Sequence, residues 1–206
     1  MAKLIIETPE SDTKDSVGGV PWAGEGTRWP LCRTCGSPMQ FLAQLPLSHC
    51  GVERLVTRGQ RLLLFQCQNQ PGLCEEWDAD SGGNAALLMD ASGSRRLEVP
   101  PGPTLLDAES PVGFQEYDDS RQEESLDDEY CRALDADPRV VGKVGGRPVW
   151  IQGDETPSCE CGETMVFVAQ LECHGGGGIN FGDAGAGYAF VCPRCSHSAK
   201  FLWQCG

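Results

Sequence analysis

Apolar and polar residues alternate in two stretches that are far apart in the chain. Residues 39–45 read MQFLAQL and residues 165–171 read MVFVAQL, and this alternation predicts strands with one buried face. Each stretch is followed by a second apolar run, at 61–67 and at 187–192, with the length and composition of a buried strand. The pattern therefore predicts a mainly β (α+β) protein.

The two pairs of predicted strands belong to an internal repeat. Residues 17–22 (VGGVPW) match residues 144–150 (VGGRPVW), and a close cysteine pair with a following glycine comes next in both places. Met39 aligns with Met165 at an offset of 126 residues. Ordered matches at nearly one offset indicate a duplication, so we expect two pseudo-two-fold halves. Trp22 and Trp150 recur in the matched stretches, which predicts equivalent packing or docking positions.

The repeat sets the expected domain organisation. Residues 16–95 form the first half, residues 140–206 the second half, and residues 96–139 an acidic connector between them, within one compact unit. Residues 120–134 of the connector have apolar positions at a helical spacing and predict a helix, although a solvated acidic linker is the alternative. The predicted buried face of that helix consists of Leu126, Tyr130, Cys131 and Leu134.

The cysteines are the first candidate metal ligands. The chain has twelve, and eight of them form two close pairs in each half. Four thiolates suit tetrahedral zinc, and a close pair in a tight turn supplies two ligands from one loop. A returning strand then supplies the second pair, so each half contains a zinc-ribbon-like element. The sequence thus predicts two zinc ions, with Cys32, Cys35, Cys67 and Cys74 in one site and Cys159, Cys161, Cys192 and Cys195 in the other.

Two of these pairs depart from the common spacing and leave alternatives open. Cys67 and Cys74 are separated by six residues, and Cys159 and Cys161 by only one. Disulfides are the rival explanation, but they require export, and no signal peptide is recognisable. The alternative ligands are His49, Cys50, Cys173, His174 and His197.

Charge and hydropathy narrow the partners and the location. The chain carries 16 basic and 30 acidic residues, a formal charge of −14, which disfavours non-specific nucleic-acid binding and favours a basic protein partner. The same acidity would also serve solubility alone. No apolar run reaches the length of a membrane-spanning helix, so we expect a soluble, cytoplasmic protein with no membrane partner.

Catalytic motifs are missing from the sequence. It contains no HExxH, GxSxG or GxxxxGK[ST] pattern, and the three histidines all lie close to cysteines. The sequence therefore favours a binding protein over an enzyme. The alternative is an enzyme with an unfamiliar site in the glycine-rich loop around Asp183.

Several ordered elements resemble a known superfamily. They are the Gly-Gly-x-Pro-x-Trp stretch, the Cys-x-Cys-Gly turn, the Met-x-Phe-x-Ala-Gln-Leu strand, residues 180–185 (NFGDAG) and the terminal segment 192–203. This set resembles the bacterial YwqG-like proteins, a family of unknown function. It is also similar to the eukaryotic programmed-cell-death-2 and Tsr-four-type proteins.

The resemblance implies a β-rich, duplicated fold and a role in protein binding. For the eukaryotic relatives it implies a chaperone that holds a basic ribosomal protein, and for the bacterial relatives an interaction or toxin-immunity role. The prediction from the sequence is thus a non-enzymatic, zinc-stabilised protein-binding module, acting as a chaperone for a basic client or as an immunity-type partner.

Overall fold

The structure is a computed structural model. It describes residues 2–9, 14–50, 52, 59–90, 95–102, 108–117, 126–173 and 178–206, with the backbone alone at 126–128. In the described residues, no helix is long enough and apolar enough to cross a bilayer.

Twelve strands, one α-helix and one 3-10 turn make up the described chain. The strands are β1 Ala2–Glu7, β2 Ser16–Val17, β3 Trp22–Ala23, β4 Gln40–Pro46, β5 Arg61–Gln66, β6 Asn84–Met89, β7 Arg95–Arg96, β8 Ser110–Tyr117, β9 Val140–Val144, β10 Val166–Glu172, β11 Ala186–Val191 and β12 Ala199–Gln204. The helix α1 is Leu126–Ala136 and the 3-10 turn is Leu47–His49. The mainly β prediction is confirmed, as are the four strands predicted from hydrophobic patterning.

Ten of the strands form one sheet in the order β12-β11-β10-β9-β1-β8-β2-β4-β5-β6, and β3 pairs with β7 separately. The sheet is nearly closed, because its edge strands β6 and β12 lie side by side. Across this seam the Trp203 amide donates to the Trp77 carbonyl at 3.2 Å, and Lys200 Nζ lies 2.6 Å from Asp80 Oδ1. The contact of the two edges covers them and so hinders unwanted strand addition there.

The two strands at the middle of the sheet are β1 and β8, which pair antiparallel from Ala2–Tyr117 to Glu7–Val112. Strand β1 also pairs with β9, and β8 also pairs with β2. The first cysteine-containing region, residues 16–95, follows β1 in the chain, and the second, residues 140–206, follows β8. Strand β1 nevertheless pairs with β9 of the second region, and β8 pairs with β2 of the first. The predicted connector, described as a helix and a linker, contains the eight-residue strand β8 as well.

Apolar side chains cover both faces of the sheet. One large core lies between the two ends of the curved sheet and includes Ile5, Leu42, Leu64, Val168 and Phe201. Strand β5 is buried on both faces, which explains its unbroken apolar run rather than alternation. Two smaller cores cover the outer face, and each contains cysteines. The first includes Trp29, Cys32, Met39, Phe65, Cys67 and Cys74, and the second includes Cys159, Met165, Tyr188, Phe190 and Cys192.

Helix α1 packs against strands β1 and β9 through one aromatic side chain. Tyr130 is buried against Leu4 and Val140, and Leu134 is half-buried beside them. Cys131 is exposed, so its predicted place on the buried face is wrong. A step of one residue along the helix rotates it away from Tyr130 by about 100°. The predicted helix at 120–134 is present from Leu126 onward, and its first six residues, 120–125, lie outside the described residues.

Candidate metal centres

The first group of cysteines lies on the outer face of β4 and β5. The Sγ atoms of Cys32, Cys35, Cys67 and Cys74 all lie within 4.8 Å of one another, and Cys35 Sγ is 3.7 Å from Cys67 Sγ. Cys32 and Cys35 stand in the turn before β4, Cys67 directly follows β5, and Cys74 lies in the loop from β5 to β6. The antiparallel pairing of β4 with β5 brings the turn and the strand end together.

Backbone hydrogen bonds shape the turn that carries Cys32 and Cys35. The Cys32 amide donates to the Ser37 carbonyl at 2.9 Å, and the Gly36 amide donates to the Cys32 carbonyl at 2.8 Å. Gly36 has a φ of +70°, a left-handed conformation that glycine adopts without a steric cost.

The longer loop from Cys67 to Cys74 is held by side chains. Asn69 Nδ2 donates to Cys67 Sγ at 3.4 Å and to the Pro38 carbonyl at 2.9 Å, which ties the loop to the opposite turn. The Gly72 amide donates to Glu76 Oε1 at 2.7 Å. Although six residues separate the two cysteines, these contacts return Cys74 to the other three thiols.

The second group repeats this arrangement on the outer face of β10 and β11. The Sγ atoms of Cys159, Cys161, Cys192 and Cys195 all lie within 4.8 Å of one another, and Cys161 Sγ is 3.6 Å from Cys192 Sγ. The Cys159 amide donates to the Glu163 carbonyl at 2.8 Å, in the manner of Cys32 and Ser37. In the shorter Cys192–Cys195 pair, the Cys195 amide donates to Cys192 Sγ at 3.2 Å.

The thiols in each group have opposed pKa shifts. Burial raises the pKa of Cys35, but hydrogen bonds from Ser37 and neighbouring thiols outweigh it and lower the pKa to about 7. Burial raises the pKa of Cys74. In the second group, a hydrogen bond from the Cys161 backbone and another from the Ser198 hydroxyl lower the pKa of Cys159 to about 6. Hydrogen bonding to Cys161 and to the other thiols raises the pKa of Cys195 to about 12.

The contrast in each group follows from four thiols sharing a small volume, where a first thiolate makes the next ionisation unfavourable. A divalent cation bound among the four thiols would offset this repulsion between thiolates. Tetrahedral zinc with Zn–S bonds of about 2.3 Å places its sulfurs about 3.8 Å apart, close to the shorter separations observed in both groups. The donor set and its geometry therefore fit a four-sulfur metal ion, and soft thiolates favour zinc over hard cations such as magnesium.

The remaining candidate ligands lie apart from both groups. Cys50 is buried in the large core, and burial raises the pKa of its thiol. Cys173 Sγ accepts a hydrogen bond from the Phe181 amide at 3.0 Å. The His49 ring packs 5.4 Å from the Phe114 ring, whereas His197 is exposed beside β6. His174 lies outside the described residues.

Asp183, the centre of the alternative enzymatic hypothesis, lies exposed on a tight turn. Its carbonyl accepts from the Gly206 amide at 3.0 Å, and Asn180 Oδ1 accepts from the Gly182 amide at 2.9 Å, as expected for loop-forming residues. A Cβ on Gly185 would lie 1.9 Å from the Phe181 carbonyl oxygen, so the loop is packed against its own backbone. This packing is typical of a structural turn.

Sequence reasoning missed a buried polar cluster beneath α1. The Tyr130 hydroxyl donates to Glu172 Oε1 at 2.6 Å, and Lys143 Nζ lies 4.6 Å from the centre of the Tyr130 ring. Burial raises the pKa of Glu172. The three residues come from a helix and two separate strands, so spacing along the chain carried no signal of their contact.

The tryptophans of the repeat occupy different surroundings. The Trp22 amide donates to Gln44 Oε1 at 2.8 Å, and the equivalent donor in the second region is the Val149 amide, which donates to Gln170 Oε1 at 2.9 Å. Trp150 is one residue further on and packs on Tyr188 with ring centres 4.5 Å apart. The prediction that Trp22 and Trp150 are equivalent positions is therefore wrong, because one extra residue lies between Pro148 and Trp150.

Comparison with known proteins adds one relative. No family model matches the chain. Over 68 residues it is 35% identical to the uncharacterized protein YpfL of Salmonella typhimurium (strain LT2). The similarity covers 32% of this chain and spans only 16% of the length of that protein. The chain is thus similar, over about a third of its length, to part of a protein described only as uncharacterized.

Proposed function

We propose that this protein is a non-enzymatic, zinc-stabilised protein-binding module that holds two structural zinc ions. The observation that carries the proposal is the closure of both sulfur groups: each has four thiols within 4.8 Å. Structural zinc sites have four protein ligands, whereas catalytic ones keep a position open for water or substrate. Four sulfurs at each centre leave no such position.

The location of the two groups supports a structural role. Cys32, Cys67 and Cys74 are buried in the first outer core, and Cys159 and Cys192 in the second. Each outer core is small, and the four sulfurs take up part of its centre. A bound zinc would therefore crosslink the turn before one strand to the end of the next.

We also propose that the two cysteine-containing regions are copies of one unit, as the sequence repeat indicates. Equivalent backbone contacts support this. The Gly18 amide donates to the Leu42 carbonyl at 2.8 Å, and the Gly145 amide donates to the Val168 carbonyl at 2.9 Å. The strand register also shifts at matching points, between Phe41 and Ala43 and between Phe167 and Ala169. Strands of independent origin have no reason to share an irregularity at the same offset.

The proposed partner is a basic protein, for which the module acts as a chaperone or an immunity-type partner. The formal charge of −14 supports a positively charged client, because complementary charge speeds encounter and suppresses wrong partners. The resemblance to the YwqG-like and programmed-cell-death-2 families points in the same direction. The compartment expected for this role is the cytoplasm, where thiols stay reduced and available to metal.

Metal analysis tests the zinc part of the proposal. Protein purified without added metal is expected to contain two equivalents of zinc per chain by inductively coupled plasma mass spectrometry. Mild reductants are expected to leave the thermal unfolding transition unchanged, while strong chelators abolish it. Less than half an equivalent of zinc per chain would contradict the proposal of two structural zinc ions.

Affinity capture from the native cell tests the protein-binding part. A tagged full-length chain is expected to retain one protein in stoichiometric amount, with an isoelectric point above that of the cell's average protein. Retention of nucleic acid alone, or of nothing, would remove the main support for a binding role.

A further inference from the structure

Two leucines beside the first metal centre are unusually exposed. Leu31 is 56% exposed and Leu73 is 72% exposed, and each directly precedes a cysteine of the first group, Cys32 or Cys74. Single exposed leucines are common on protein surfaces. Here, two exposed leucines flank the same group of buried cysteines.

Contacts within the first centre place both leucines on one rim. Leu31 forms a β-bridge with Pro38, and the Pro38 carbonyl accepts from Asn69, which belongs to the loop that carries Leu73. The Leu73 amide donates to the Gln70 carbonyl at 3.0 Å, which turns that loop. Cys32 and Cys74 have their sulfurs within 4.8 Å, so Leu31 and Leu73 each lie one residue away from the same group of thiols.

The second centre shows that its geometry does not require leucine at these positions. Ser158 stands where Leu31 does, before the first cysteine, and it bridges Thr164 in place of Pro38. Arg194 precedes the last cysteine, where Leu73 stands in the first centre, and its side chain pairs with Glu163 at 2.7 Å. Equivalent backbone turns thus carry polar and charged side chains in one centre and leucines in the other.

The charges around the two leucines are mainly acidic. Glu75 is exposed two residues after Leu73, and Glu98 is exposed in the segment that reaches Pro38 through Gly102. Asp78 lies exposed further along the same loop, where its carboxylate accepts two backbone amides. The exposed basic residues of the same segments are Arg28, Arg95 and Arg33, whose guanidinium donates to the Asp80 carbonyl.

We propose that this rim is the docking surface for a basic segment of another protein, which places aliphatic side chains on Leu31 and Leu73 and cationic side chains beside Glu75 and Glu98. The proposal rests on the protein-binding function proposed above and adds its location. The exposed leucines supply apolar area, and the surrounding carboxylates select for positive charge.

The charge of the protein argues against other occupants. A second copy would bring two chains of charge −14 together. An anionic membrane surface would meet the same repulsion, because polybasic rather than acidic segments bind such surfaces. A basic, aliphatic segment is the occupant that both the leucines and the carboxylates favour.

The test uses the full-length, zinc-loaded chain and three fluorescent peptides of equal length. In the first peptide lysine and leucine alternate, in the second glutamate replaces lysine, and in the third serine replaces leucine. Fluorescence polarisation is expected to give the first peptide an affinity at least about tenfold above the other two. Equal affinities for the first and third peptides would show that the leucines play no part and would overturn the proposal.

A matched pair of variants locates the binding surface. L31S/L73S is expected to weaken binding of the lysine–leucine peptide about tenfold or more. I151S/V166S removes two side chains that are 39% and 37% exposed elsewhere on the molecule and is expected to bind as the native chain does. Equal loss in both variants, or in neither, overturns the location.

Two further measurements keep the result interpretable. Both variants are expected to retain two equivalents of zinc. If L31S/L73S lost zinc, hydrogen exchange on the native chain would decide instead, with peptide-induced protection expected at 31–38 and 69–75. Protection elsewhere overturns the proposal. Self-association in sedimentation velocity that L31S/L73S abolishes would assign the rim to a second copy and would equally overturn it.

The outcome is separable from that of the proposed function. If the native chain retains a partner from its cell and L31S/L73S retains it equally, the docking surface is wrong and the binding function stands. If the native chain retains nothing, the proposed function fails by itself.

Discussion

The two cysteine centres share their ligand geometry but differ in how well they are covered. In the first, Cys32, Cys67 and Cys74 are buried and Cys35 is half-buried. In the second, Cys161 is exposed and Cys195 half-buried. The difference goes with the loop between the last two cysteines, which is longer in the first centre and ends at the buried Cys74, whereas its counterpart Cys195 is half-buried. Two groups of four thiols can thus share a geometry and differ in how well they are covered.

The outer surfaces of the two centres differ in a second way. The first presents Leu31 and Leu73, whereas the second presents Ser158 and the Arg194–Glu163 pair. The better covered centre is therefore also the more apolar one outside. If the regions are copies, as proposed, the first has the features of a binding surface and the second those of a stabilising element.

Removal of a ligand should have the largest effect and would test whether both centres hold metal. A structural zinc contributes about 10–16 kcal/mol in small peptides, while whole proteins have stabilities of about 5–15 kcal/mol. Cys67→Ser and Cys192→Ser are each expected to bind one zinc fewer and to lose cooperative thermal unfolding. Cys131→Ser, at an exposed position on α1, is the control and should keep two zinc ions and the native transition. Full zinc content in either ligand variant would refute the assigned ligand set.

Truncation of the two tryptophans should have the next largest effect. Trp150 packs on Tyr188 and on Phe190, at 4.5 and 5.9 Å between ring centres. Trp22 instead lies under the cationic groups of Lys14 and Arg96. Trp150→Ala is expected to cost about 3 kcal/mol in the free energy of unfolding. Trp22→Ala is expected to cost about half as much, since exposed cation–π contacts contribute about 0.5–1 kcal/mol each.

Urea denaturation of both variants measures these costs. Equal losses would mean that the two surroundings stabilise their outer cores alike, and the contrast between the regions would weaken.

Metal release should separate the two centres kinetically. A chelator reaches exposed Cys161 more readily than the buried sulfurs of the first centre, so release is expected in two phases that differ about tenfold, a barrier difference of about 1.4 kcal/mol. A colorimetric chelator follows both phases. Cys161→Ser should remove the fast phase and Cys35→Ser the slow one. A single phase in the native chain would contradict the difference in coverage.

The smallest expected effect concerns the polar cluster in the second region. Burial raises the pKa of Glu172 in the folded protein, so its contribution is fully present below the unfolded pKa and is lost as the pH rises through the folded pKa. Glu172→Gln keeps an oxygen for the Tyr130 hydroxyl and removes the charge. It is expected to be slightly more stable than the native chain at pH 8 and indistinguishable from it at pH 4. Thermal unfolding at pH 8 and pH 4 measures the difference in stability between the variant and the native chain. A larger difference at pH 4 than at pH 8 would contradict the prediction.

Hydrophobic patterning predicted the strands that carry the cysteines, and cysteine spacing predicted which thiols come together. Hydrophobic patterning did not predict β1 and β8, the two strands at the middle of the sheet. Strand β8 contains Pro111 and Gly113, both unfavourable in strand interiors, and it lies in a segment otherwise rich in acidic residues. Strand β1 showed only a short apolar run. Both are strands because neighbours from distant parts of the chain complete their hydrogen bonding, which local patterning does not record.

The outward features of the site were less predictable than its ligands. Nothing in the spacing distinguishes Leu31 from an ordinary core leucine, because exposure depends on which side of the turn faces solvent. The Tyr130–Glu172 contact likewise depends on where α1 lies over the sheet.

The crossed placement of β1 and β8 has a consequence for how the chain acquires its structure. β1 leaves the ribosome long before β8 and β9, its two partners, which begin at Ser110 and Val140. At about 5–20 residues per second, it waits on the order of ten seconds without a neighbour. Its pairings are among the most non-local in the fold, and such contacts slow folding. Synthesis order therefore delays the middle of the sheet until β8 has been made, and strands β9 to β12 can join the sheet only after that.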